Sequence, residues 1–148
     1  MKNTLVVVAD IGCYKAFKME DGHLRRMPRL ELVEEFNNAQ AHEKLVSKVS
    51  DLAGRFPRRS GKSHSAAMSD GERHNLEQEL RKRLVRELAE RLNTLDRGQD
   101  VERWLLAASR EINHMLINQL EPHIRAKIEK NIPADLTKLE RKEILQRF

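Results

Sequence analysis

Six leucines, Leu76, Leu80, Leu84, Leu88, Leu92 and Leu95, recur in steps of four or three, with Arg and Glu filling most of the positions between them. That is the period of an amphipathic α-helix, and it predicts a long one. The start is marked by Ser69-Asp70-Gly71-Glu72, a capping-box pattern in which Ser69 accepts the Glu72 amide and Glu72 reaches back. Asp96-Arg97-Gly98-Gln99 ends it. A helix of this kind draws most of its stability from packing its apolar stripe, so the flanking sequence has to supply a surface.

Strands meet that need upstream. Thr4 to Ala9 (TLVVVA) is β-branched and apolar, the pattern of a buried strand. Asp10-Ile11-Gly12-Cys13 reads as a turn. Tyr14 to Met19 then alternates, with Tyr14, Ala16 and Lys18 on one face and Lys15, Phe17 and Met19 on the other. Glu20-Asp21-Gly22-His23 is a hairpin signal, because Asp-Gly suits positive φ. Arg29 to Phe36 gives a third strand, with Leu30, Leu32 and Glu34 opposite Glu31, Val33 and Glu35. An antiparallel meander is expected. Ala39 to Leu52 has helical spacing at Leu45, Val49 and Leu52.

Beyond the long helix, Val101 to Ala108 (VERWLLAA) reads as a strand with a core-like second half. Ser109 is expected to cap a helix carrying Ile112, Met115, Leu116 and Leu120, which Pro122 stops. Ile124 to Ile132 alternates apolar and charged residues, as an edge strand does. Thr137-Lys138-Leu139-Glu140 is a second capping-box pattern, opening a terminal helix with Leu139, Ile144, Leu145 and Phe148. The order is β-β-β, a loop, then α-β-α-β-α. Alternating helix and strand favours parallel pairing in the second half. The expected fold class is α/β, a mixed sheet with helices packed on it. The 148 residues suit one domain, 1–148.

Composition narrows the function classes. Cys13 is the only cysteine, which rules out an intrachain disulfide and a cysteine-rich zinc cluster. The apolar run Leu5 to Ala9 is too short for a signal-peptide core and Asp10 interrupts it. No stretch approaches a membrane-spanning length, so the expected compartment is the cytoplasm. The formal net charge is only +5, but the charge is unevenly placed. Between Asp51 and Asp70 there is no acidic residue, while Arg55, Arg58, Arg59, Lys62 and His64 all lie there.

Asp10 follows the first strand of a β-β-β-α-β-α order, the outline of a ribonuclease H-like fold, in which such an aspartate helps bind two metal ions. That chemistry needs several converging carboxylates, and Ala107-Ala108-Ser109-Arg110 offers none at the tip of the next parallel strand. Asp10 is read as a turn residue. Ser60-Gly61-Lys62-Ser63 matches the end of a phosphate-binding loop, but Phe56 stands where that pattern requires glycine. His23, His42, His64, His74, His114 and His123 are scattered, without metal-ligand spacing. Cys13 has no base near it in sequence, so no nucleophile is assigned. No catalytic residue, metal site or cofactor is expected. The candidate site is the exposed basic loop 54–67, with Gly54, Arg55, Arg58, Arg59, Gly61, Lys62 and His64 as its nucleic-acid-binding residues. Arg forks onto phosphate oxygens and glycine admits a close backbone approach. An aromatic content of 4% leaves no stacking platform for bases, so contact would be with phosphate.

The initial LVVVAD, the hairpin ending in Ala16 and Phe17, Leu32-Val33-Glu34-Glu35-Phe36-Asn37-Asn38, Ser50-Asp51-Leu52-Ala53-Gly54-Arg55, Trp104-Leu105-Leu106-Ala107-Ala108 and Asp135-Leu136-Thr137-Lys138-Leu139 follow one another in an order and spacing that resembles the bacterial host-attachment protein family. The strand tip departs from it, reading Ala107-Ala108-Ser109-Arg110 where the family has Ala-Pro-Pro. That family is similar to the middle domain of archaeal and eukaryotic peptide-chain release factors, where a Gly-Gly-Gln loop before a long helix triggers peptidyl-tRNA hydrolysis. The matching stretch here, Gly54 to Ala67, has no Gly-Gly pair and no glutamine. The resemblance therefore implies a release-factor-like fold and binding to ribosomal RNA or tRNA, without the catalytic motif. A peptidyl-tRNA ester hydrolase and a protein-binding factor in bacterial attachment remain the alternatives.

Overall fold

The computed structural model describes residues 3–22, 27–38 and 70–148. Five strands, β1 (Thr4–Asp10), β2 (Cys13–Glu20), β3 (Arg29–Asn37), β4 (Arg103–Ala108) and β5 (Ile128–Ile132), form one sheet in the order β3-β2-β1-β4-β5. β1 is antiparallel to β2, and β2 to β3, while β1, β4 and β5 run parallel. The helices are α1 (Asp70–Gly98), α2 (Asn113–Gln119), α3 (Pro122–Lys127) and α4 (Arg141–Arg147). The α/β class and the mixed sheet expected from the sequence are both present.

β1 lies in the middle with both faces covered, which is why its apolar run is unbroken. Leu5, Val7 and Ala9 join Tyr14, Ala16, Trp104, Leu106 and Ala108 on one face. There Leu84, Val85, Leu88, Ala89, Leu92 and Leu95 of α1 cover them, together with Ile112, Leu116 and Ile124 from α2, α3 and the turn before α2. On the other face Val6, Val8, Phe17, Leu30, Leu105 and Ala107 meet Leu136 and Ile144. The expected turn after β1 closes as a two-residue link, with Asp10 paired to Cys13.

α1 is far longer than the sheet it covers. Its 29 residues span about 43 Å at ~1.5 Å per residue, against roughly 23 Å for the seven residues of β1. The excess lies at the N-terminal end. From Gly71 to Arg83 no residue is fully buried, and burial begins at Leu84. Arg81 reaches Glu111, just after β4, at 3.7 Å. The turns before Arg81 therefore run on past the carboxyl ends of β1 and β4 by about 16 Å.

Four expectations need correction. Ile124 to Ile132 is not one strand: 122–127 is α3, with Pro122 at its first turn, and only Ile128–Ile132 is β5. Pro122 starts a helix because its fixed φ suits that position; the preceding helix has already ended at Gln119, with Leu120 extended. Ser109 does not cap α2 through its side chain. Its carbonyl accepts Ile112 N–H and Asn113 N–H, and the helix begins at Asn113. The terminal capping box is displaced by three residues, onto Glu140 and Glu143, and Glu140 N–H donates to Glu143 Oε2 at 3.0 Å. Thr137 instead donates both its backbone N–H, at 2.9 Å, and its hydroxyl to Asp135 Oδ1, an Asx-type turn. Finally, β3 does not keep one alternation. Its register against β2 shifts between Ala16 and Phe17, so that Ala16 pairs with Glu34 and Phe17 with Leu32. Val33 is the extra residue of a β-bulge, which sends Phe36 to the same face as Tyr14.

The capping box proposed at Ser69, the helical spacing of Ala39 to Leu52 and part of the Asp21-Gly22-His23 hairpin lie outside the described residues.

Candidate functional site

All seven sequence-predicted contact residues, Gly54, Arg55, Arg58, Arg59, Gly61, Lys62 and His64, lie outside the described residues. What the structure describes is the support on the C-terminal side of that segment, the projecting end of α1. The charge on this helix is not all spent internally. Arg81 is tied to Glu77 at 2.9 Å and to Glu111, and Lys82 to Glu79 at 3.6 Å. Arg83 and Arg86 are exposed and make no ion pair among the described residues. Three residues apart, they share a helix face. The sequence carries a signal for them: no acidic residue falls between Glu79 and Glu87, while Arg81, Lys82, Arg83 and Arg86 all do.

The second polar gathering lies at the carboxyl ends of β1 and β4, where open α/β sheets usually hold ligands. Cys13 opens β2 there. Its thiol is pushed above the usual range, first by burial and next by the Asp10 carboxylate, with Asp135 adding to both and a Thr137 hydrogen bond opposing them. Lys15 Nζ donates to the Thr137 carbonyl at 3.0 Å. A thiol held protonated is a weak nucleophile. Asp135 and Thr137 arrive from the far end of the chain, which is why spacing alone missed them.

Beside this cluster Asn113 and Asn131 face each other amide to amide. Asn113 Nδ2 donates to Asn131 Oδ1 at 2.7 Å, and Asn131 Nδ2 returns the bond at 2.8 Å. Asn113 is buried and Asn131 exposed, and the pair fastens α2 to β5. Among the described residues, no group of three or more His, Cys, Asp or Glu side chains is arranged to hold a metal ion. His74 lies beside Gln78 and His114 beside Asn118, each one helical turn away on its own surface. Among the described residues no helix is long and apolar enough to cross a membrane.

A family model described as "Protein required for attachment to host cells" matches residues 5–148. No curated protein gives a significant match to the chain.

Proposed function

Since the chain belongs to the family of proteins required for attachment to host cells, we propose that it serves that role indirectly, as a non-catalytic binding module that associates with ribosomal RNA or tRNA. One observation carries the proposal. α1 runs past the sheet by several turns, and the segment joined to its projecting end is the one that holds Arg55, Arg58, Arg59 and Lys62. Arg83 and Arg86 add positive charge on the helix itself. Guanidinium and ammonium groups clustered in sequence with no carboxylate between them suit a polyanion.

The release-factor-like and ribonuclease H-like description of the topology belongs to this proposal, and the strand order β3-β2-β1-β4-β5 supports it. So does a site in the cytoplasm, where a lone cysteine stays reduced. The test is co-sedimentation of the purified chain with ribosomes. The parent chain pellets with them at low salt, and a chain carrying Arg58→Ala, Arg59→Ala and Lys62→Ala stays largely in the supernatant. Equal pelleting of the two chains overturns the proposal.

A further inference from the structure

We draw no further inference here: the strongest candidate, the polar cluster at the carboxyl ends of β1 and β4, where the Ser109 hydroxyl is buried without a hydrogen-bond partner among the described residues, leaves essentially none of that oxygen open to a ligand and holds nothing else that points to one.

Discussion

Asp96, in the last turn of α1, accepts a hydrogen bond of 2.8 Å from the indole Nε1 of Trp104 in β4. The carboxylate is almost fully buried and the indole completely so. The other carboxylate oxygen meets His123 Nε2 at 3.2 Å, and Lys127 Nζ lies within 3.3 Å of both oxygens. One acidic side chain therefore joins α1, β4 and α3. Glu121 lies alongside, paired with Arg97 and with His123.

Asp96→Ala leaves the indole N–H and part of the Lys127 charge without a partner. We expect it to lower unfolding free energy by about 3 kcal/mol. Trp104→Phe removes the donor alone and a smaller volume, and should lower it by about 2 kcal/mol. The two losses should fall well short of adding when combined, since both contain the same bond. Urea unfolding of the four chains of the double-mutant cycle measures this, and full additivity denies the coupling.

The two halves of α1 should respond differently to truncation. Leu88 is completely buried under the sheet, so Leu88→Ala should cost about 3 kcal/mol. Leu76, in the projecting turns, is only half-buried, and Leu76→Ala should cost less than about 1 kcal/mol. Equal losses would mean that the helix is packed along its whole length.

Asn113→Leu breaks the reciprocal amide pair with Asn131 and removes the donor that the Ala108 and Ile132 carbonyls accept from. Asn131 is exposed, so water replaces its lost partner, and a loss of about 1 kcal/mol is expected. Asn131→Ala, at the exposed half of the pair, should cost less. A larger loss for Asn131→Ala than for Asn113→Leu would contradict this.

Alkaline pH gives an independent check on the two groups near β2. The Cys13 thiol and the Tyr14 phenol are both pushed upward, each by burial first, from ordinary values of 9.0 and 10.0. The folded chain therefore holds these protons more tightly than the unfolded chain does. The resulting stability is complete below the ordinary values and is lost as pH climbs past them toward the raised ones. Urea midpoints measured between about pH 8 and about pH 11 should fall, and the decline should be shallower in Cys13→Ser and in Tyr14→Phe.

Much of this fold was legible in the sequence, and the exceptions have physical causes. The TLVVVA run and the leucine stripe each identify an element by period alone, and both hold. The boundary at Pro122 was misread because a proline that ends one helix and one that begins another look alike without coordinates. The alternation at Ile124, Ala126 and Ile128 was too short to distinguish a strand from a single helical turn followed by one. The bulge at Val33 leaves no mark in a pattern of alternating Glu and apolar residues, yet it decides which face Phe36 joins. Asp96 read as part of a helix terminator, because its partners Trp104, His123 and Lys127 are brought to it only by the fold. For the candidate site, charge distribution pointed to the segment before α1. Cys13, Asp135 and Thr137 meet through the sheet, and only the coordinates bring them together.

The central claim is that the basic segment before α1 binds a polyanion through phosphate contacts. The most direct measurement is the salt dependence of the affinity for single-stranded ribosomal RNA fragments, compared between the parent chain and the Arg58→Ala, Arg59→Ala, Lys62→Ala variant. Loss of three phosphate contacts should reduce the steepness of log affinity against log salt by about 2. An unchanged slope, with unchanged affinity, contradicts the claim.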